Sequence, residues 1–276
     1  MVVFQQKHVG VGLRDNHFSY IEQYQPDIPW FEVLTDNYLN LSERSLFQLE
    51  KICSHYPVAF HGVGMSLGST DPLNIPYLKK LKTLIKLFNP ILISDHLCWT
   101  SFSGRYFHEL LPLPYTQEAV FHLANRIRQV QDFLEHPIII ENVSHYLSYT
   151  HSDMKEWEFL QAVANTADCS ILLDINNIYV SAYNNKFVAD DYINHLSAQR
   201  IAQFHLAGFS KHENYLLDHH GAAVQDPVWD LYKKALQKFG KIPTIIEWDN
   251  NIPDFYQLQN EADYAQKLMN EHTITV

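Results

Sequence analysis

The sequence predicts a single (β/α)8 TIM barrel, an expectation that rests on three observations. The chain has 276 residues, close to the roughly 250 typical of that fold. A short apolar run, a polar loop and an amphipathic helix recur along it eight times. The glycine-rich first turn expected of a doubly wound nucleotide-binding sheet is absent. Eight strands alternating with eight helices over this length close most simply into a barrel.

The strand runs are Val9–Leu13, Trp30–Leu34, Val58–His61, Ile91–Asp95, Ile138–Glu141, Ile171–Asp174, Ala202–Leu206 and Thr244–Glu247. Most are nearly continuous in apolar character, as strands covered on both faces require. Pro57, Pro90, Pro137 and Pro243 break the chain just before four of them. Helical periodicity fills the intervals: a weak first segment at Asn16–Tyr24, then a helix capped by Ser42 and running to about His55. Pro76–Phe88, Gln117–Leu134, Asp153–Thr166, Asp190–Ala198, Pro227–Phe239 and Asp254–Asn270 complete the series. No Gly/Ser linker, Pro-rich tract or charge block divides the chain, so residues 1–276 are expected to form one metal-binding domain.

Composition narrows the function. Hydrophobic residues are 46% and charged residues 18%, enough apolar material for a full core. A net charge of −11 repels phosphate backbones, which weighs against a nucleic-acid partner. Cys53, Cys98 and Cys169 show no CxxC spacing, so neither disulfides nor a thiolate zinc site is expected. The N-terminus does not read as a secretory signal, and no apolar run approaches the roughly 20 residues of a membrane span. A cytoplasmic, reducing location follows as the expectation. The sixteen histidines are the compositional outlier.

In a βα barrel, function gathers at the carboxyl ends of the strands. Here those ends carry Arg14, His61, Asp95-His96, Glu141-Asn142, Asp174, His205 and Glu247, with Glu32 inside the second strand. One strand-end histidine is usually a hydrogen-bonded structural residue. Three on one rim beside several carboxylates need compensation, because gathering buried charge costs several kcal/mol per group unless it is neutralised. Arg14 is the only strand-end cation, so metal ions are the expected counter-charge, and an N/O donor set without thiolate suits first-row transition ions. Asp218 and His220, in the segment LDHHGAA, share a face if that segment is extended and could bind a further ion with Asp174. Asn142 and Asn177 read equally as ligands or hydrogen-bonding neighbours, and Asp95 as a residue that orients a ligating histidine. Trp99, Tyr146, Tyr179 and Trp248 lie beside the rim and are candidates to wall a pocket.

With these residues in place, the segments GVGLR, FEVLTDNY, HGVGMSLGS, SDHLCW, ENVSHYL, DINNIYVSAYN, HLAGF, DHHGAAV and IEWDNNIP can be compared as a set. Together they resemble the multinuclear non-heme iron-dependent oxidative enzymes, the family that includes the iron enzyme of methanobactin biosynthesis. The resemblance spans about Gly10 to Pro253. It implies a xylose-isomerase-like barrel, two or three iron ions, and use of dioxygen to modify cysteines of a ribosomally made precursor peptide. It also implies a separate partner protein that presents the peptide. Carried over residue by residue, His61, His96 and Glu141 would hold one iron. Glu141 would bridge to a second, held also by Asn177 or Asp174, His205 and Glu247. Asp174, Asp218 and His220 would serve a third position, and Asp249 would be an acid/base. The rival is a redox-silent divalent-metal barrel, a sugar isomerase or an abasic-site nuclease. The first normally wants a catalytic lysine, which no strand end supplies, and the second a basic groove, which the net charge disfavours.

Overall fold

A computed structural model describes residues 7–40 and 43–272. Eight parallel strands close into the expected barrel: β1 Val9–Leu13, β2 Phe31–Leu34, β3 Val58–Gly62, β4 Ile93–His96, β7 Ile139–Glu141, β8 Ser170–Asp174, β9 Ile201–Leu206 and β12 Thr244–Ile246. They pair in the order β1-β12-β9-β8-β7-β4-β3-β2. All eight predicted runs become these strands, with ends shifted by at most two residues. Their apolar content is used on both faces: Ile171, Leu172 and Leu173 of β8 are all buried, alternating between the barrel axis and the helices.

Helices surround the sheet: α1 Phe18–Tyr24, α2 Glu43–Cys53, α3 Ile75–Phe88, α4 Gln117–Leu134, α5 Glu156–Ala167, α6 Ile175–Asn185, α7 Ala189–His195, α8 Asp226–Phe239 and α9 Phe255–His272. Local chemistry explains several starts. The Asn74 side chain accepts from Tyr77 N ahead of α3, and Thr116 accepts from Ala119 N ahead of α4. The cap expected at Ser42 lies outside the described residues. Left-handed residues Asn89, Glu135, Asp168 and Lys186 end α3 to α6.

Three elements differ from expectation. The segment INNIYVSAYNN, to which the periodicity assigns no helix, is the helix α6, rooted directly on β8 because Asp174 caps it. The stretch after β4 forms a hairpin, β5 Trp99–Phe102 with β6 Arg105–Leu111, turned at Ser103-Gly104 with both residues at positive φ. Asp71 fixes that turn by accepting from both backbone amides. A second hairpin, β10 Phe209–Lys211 with β11 Leu216–Asp218, follows β9.

Two-residue periodicity sorts the barrel interior into layers. Trp30, Ala59 and Ile245 form a small buried cluster of their own. Two positions further along the same strands come Glu32, His61 and Glu247, and on β9 Gln203 is followed by His205. An apolar plug thus closes the bottom of the barrel and a polar layer sits on it. No helix among the described residues is long and apolar enough to cross a membrane.

Candidate metal centre

Sheet register brings the strand-end donors together. His96 of β4 lies opposite Glu141 of β7, and Asp174 of β8 opposite His205 of β9. Glu141 Oε2 is 3.3 Å from His61 Nε2 and 3.4 Å from His96 Nε2, while Glu141 Oε1 is 3.7 Å from His205 Nδ1. His205 Nδ1 is also 3.0 Å from Glu247 Oε2. His61, His96, Glu141, His205 and Glu247 are all buried.

Each imidazole is oriented by its other nitrogen. His96 Nδ1–H donates to Gly62 O at 3.1 Å, and a carbonyl can only accept, so Nε2 is left with its lone pair toward Glu141. His61 Nδ1 meets Ser94 Oγ at 2.7 Å, and Ser94 passes its own proton to Phe60 O. His205 is turned the other way: Nε2 faces Glu32 Oε1 at 2.7 Å from within the barrel, leaving Nδ1 for the rim. Gln203 steadies Glu32 by donating to its second oxygen at 2.5 Å. Such outer partners fix ring tautomer and raise ligand basicity. Glu32, Gln203 and Ser94 were not assigned from the sequence. A glutamate at a buried position of an apolar strand was the available signal.

The asparagines separate cleanly. Asn142 spends its amide on the backbone of Asp174, donating to O at 3.0 Å and accepting from N at 2.9 Å, so it latches β7 to β8. Asn177 donates to Asn142 O, but its own Oδ1 is buried without a hydrogen-bond partner. Asp174 accepts from Asn177 N through Oδ1, which caps α6, and leaves Oδ2 unpartnered. Asn177 is therefore free to ligate and Asn142 is not.

Asp218 and His220 meet by a route other than the one expected. Asp218 ends β11, and the segment does not stay extended: His220 takes a left-handed backbone with φ 47°. That turn brings His220 Nε2 to 2.7 Å from Asp218 Oδ1 and 4.0 Å from Asp174 Oδ2. Ser144 and Asn176 each donate to one oxygen of Asp218. His219 turns aside to Ser210. Asp249 Oδ2 accepts from His220 Nδ1 at 3.1 Å, and Asp249 Oδ1 is paired to Arg14 Nη2 at 2.5 Å.

Electrostatics mark the cluster as short of positive charge. Burial opposes ionisation of Glu141, but His96, His205 and His61 outweigh it and hold its carboxyl at about 2. Burial likewise works against charged His205 and His220. Glu32 and Glu247 around the first, and Asp218 and Glu247 around the second, prevail and raise both rings well above the ordinary value. Asp174 goes the other way: burial, then Glu141 and Asp218, push it well above the usual carboxylate range against the pull of His220 and His205. Without added cations the rim borrows protons to stay near neutrality.

Donor atoms of His61, His96 and Glu141, of His61, His205 and Glu247, of Glu141, Asp174 and His205, and of Asp174, His220 and Glu247 each lie within 4.8 Å of one another. Glu141 Oε2, Asp174 Oδ2, Asn177 Oδ1, His205 Nδ1 and His220 Nε2 are buried without hydrogen-bond partners. Unpaired buried acceptors cost free energy that a bound cation recovers, so the residues present fit a multinuclear metal centre. Above them opens a cleft of about 730 Å³ roofed by Tyr106, His108 and Leu110.

Other expected features are placed elsewhere. Asp95 accepts from His96 N and Met65 N, so it ties the β3 loop down and touches no imidazole. Gly62 is needed there, since a Cβ would sit 2.8 Å from Asp95 Oδ2. Trp99, Tyr146, Tyr179 and Trp248 do not line the cleft. Trp99 stacks edge-on under Phe107, and Trp248 is buried on Glu261. His145 lies behind the β7 loop, with Nδ1 3.3 Å from Glu156 Oε2 and no hydrogen bond between them.

Fold and site together define a (β/α)8 barrel with a candidate multi-metal rim. A family model described as RiPP precursor modification enzyme MbnB/TglH/ChrH matches residues 8–270, and the chain belongs to that family. RiPP denotes a ribosomally made, post-translationally modified peptide. A UPF0276 protein of Acaryochloris marina (strain MBIC 11017) is 49% identical over 263 residues, covering 95% of each chain. Among solved structures, Escherichia coli 3-keto-D-glucoside 4-epimerase YcjR matches with TM-score 0.61 at 12% identity, over 95% of this chain and all of that one. Endonuclease IV of Thermus thermophilus matches with TM-score 0.60 at 12% identity, over 96% of this chain and 99% of that one. At such identities these two establish the xylose-isomerase-like barrel fold alone.

Proposed function

We propose that this chain is an iron-dependent oxidoreductase that uses dioxygen to modify a cysteine of a ribosomally made precursor peptide, acting in the cytoplasm as one barrel domain. The observation that carries this reading is the set of buried, unpartnered donors at the floor of an open cleft, in a family that modifies such peptides. In it, His61, His96 and Glu141 hold one iron. Glu141 is shared with a second held by His205 and Glu247, with Asn177 or Asp174. Asp174, Asp218 and His220 hold a third. Bound iron would supply one-electron chemistry and an open position at which a peptide thiol ionises.

This chain's residues supply the remainder. Ser94, Gly62 O and Glu32 keep the three rim imidazoles aimed. The β5–β6 hairpin lines one side of the cleft through Thr100, Tyr106, His108 and Leu110. Asp249 is side-chain exposed by 39% at the cleft wall, and its carboxylate is held below the usual range. Burial resists that shift and Glu247 adds to the resistance, while His220 and Arg14 drive it. As an anion lining the cleft, Asp249 would accept a proton from a thiol bound there. A separate protein presenting the peptide belongs to the same reading. Exposed Phe102, Tyr106 and Phe107 on the β5–β6 hairpin offer it apolar contact.

The test is anaerobic loading with Fe(II), then addition of dioxygen and a cysteine-bearing precursor peptide with its presenting partner. A change in peptide mass that requires both iron and dioxygen is expected. Equal turnover with zinc or magnesium and no oxygen would assign the barrel to redox-silent chemistry, and an iron-loaded chain that leaves the peptide mass unchanged would remove the oxidative reading.

A further inference from the structure

Arg14 is the one Lys or Arg side chain at the carboxyl ends of the eight described barrel strands, and its geometry is unusually constrained. It follows β1 in extended conformation, φ −129° and ψ 149°. Its guanidinium folds back over β1 into space that Gly12 leaves, since a Cβ there would stand 3.1 Å from Nη1. Nη1 donates to Leu13 O at 3.0 Å, Nε to Trp248 O at 2.8 Å, and Nη2 to Asp249 Oδ1 at 2.5 Å. The fork is thus locked on three sides across the β1–β12 seam, and one tooth fixes Asp249.

Asp249 in turn grips His220 twice. Its Oδ2 accepts from the ring at Nδ1, and its backbone N–H donates to His220 O at 2.8 Å, joined by Asn250 N at 3.2 Å. His220 needs that hold, because a non-glycine residue with φ 47° is in a sparsely populated conformation. With Nδ1 turned to Asp249, Nε2 is the nitrogen left facing the ion position. It is buried without a hydrogen-bond partner and aimed between Asp218 Oδ1 and Asp174 Oδ2, which is likewise unpartnered. This is the carboxylate–histidine arrangement that tunes metal ligands, extended by one residue to a cation at the edge of the cluster.

We propose that Arg14 is a positioning residue which, through Asp249 and His220, sets the affinity of the ion held by Asp174, Asp218 and His220. Nη2 also stands 3.6 Å from Glu247 Oε1, a longer contact than its 2.5 Å to Asp249, and the ions held by His61, His96, Glu141 and His205 are left largely untouched. The inference rests on the functional reading for those donors. It gives Asp249 a holding role beside its proton-accepting one, since both of its oxygens are engaged, one by Arg14 and one by His220.

The experiment measures iron per chain and its dissociation by competition with a chromogenic chelator, under nitrogen, for the full-length wild type, Arg14→Gln, Arg14→Lys, Asp249→Ala and the Arg14→Gln/Asp249→Ala double variant. In Arg14→Gln one ion of the set should bind roughly 10- to 100-fold more weakly, the range for loss of an outer hydrogen-bonding partner, while the others are retained. Asp249→Ala should weaken the same ion, and the double variant no more than Asp249→Ala, because Arg14 acts through that carboxylate. Arg14→Lys should fall between, as it restores the charge without the fork. Should Arg14→Gln fail to fold by circular dichroism, the comparison is made with Arg14→Lys. Unchanged affinity in the Arg14 variants, additive losses in the double variant, or a wild type that holds only two irons would overturn the inference. A wild type that holds no iron would overturn the functional reading itself.

Discussion

Glu141→Gln is expected to release at least one metal ion per chain and to abolish turnover while the barrel stays folded. Among the described residues, Glu141 is the one carboxylate within reach of all three rim imidazoles, at 3.3, 3.4 and 3.7 Å. It belongs to two of the compact donor groups, so its loss opens two positions at once. Glutamine keeps the side-chain volume and so leaves no cavity, yet it removes the negative charge that two cations would share in the proposed centre. The drop in affinity should therefore exceed the roughly 10- to 100-fold that follows loss of an outer-shell partner. Metal analysis beside circular dichroism checks it. A variant with full metal content and an unchanged rate would show that Glu141 is not a ligand.

Glu156→Gln should stabilise the protein increasingly as pH rises from about 5 to 8. Burial pushes the Glu156 carboxyl up to about 8 against a hydrogen bond from Tyr192, and pushes neighbouring His145 down to about 4. The sign follows from proton linkage. Between the ordinary 4.5 of an unfolded glutamate and the folded value near 8, the unfolded chain has lost a proton that the folded chain keeps. Stability falls through that window, by on the order of 1 kcal/mol per pH unit. His145 acts on the acid side, where charging its ring in the unfolded chain costs stability as pH falls from 6.5 toward 4. Glutamine is isosteric and does not titrate, so the difference in Tm between variant and wild type should widen with pH by several degrees, at roughly 2–4 °C per kcal/mol. A difference that stays flat from pH 5 to pH 8 would mean that Glu156 is ionised in the fold.

The barrel was legible because strands buried on two faces leave continuous apolar runs, and because strand-end residues of a parallel sheet share one rim. His61, His96, Glu141, Asp174, His205 and Glu247 could be brought to one place by that rule alone. What the one-dimensional pattern could not carry lies in backbone hydrogen bonds and turns. Asn142 and Asn177 look alike in sequence, and only the latch of Asn142 onto Asp174 distinguishes them. Asp218 and His220 converge through a left-handed histidine, a conformation that no spacing announces. The helix α6 was hidden by asparagines and β-branched residues of modest helix propensity, overridden by the Asp174 cap and by packing. The β5–β6 hairpin hid behind a short aromatic alternation, although Ser103-Gly104 between β-formers was a usable turn signal.

The most direct test of the central claim is the metal content of wild-type protein purified under nitrogen from its native source, without added metal, by elemental analysis and Mössbauer spectroscopy. Two or three irons per chain, in environments dominated by nitrogen and oxygen donors, are the expected result. A folded chain that carries zinc alone, or no ion at all, would contradict the claim that this rim exists to hold iron.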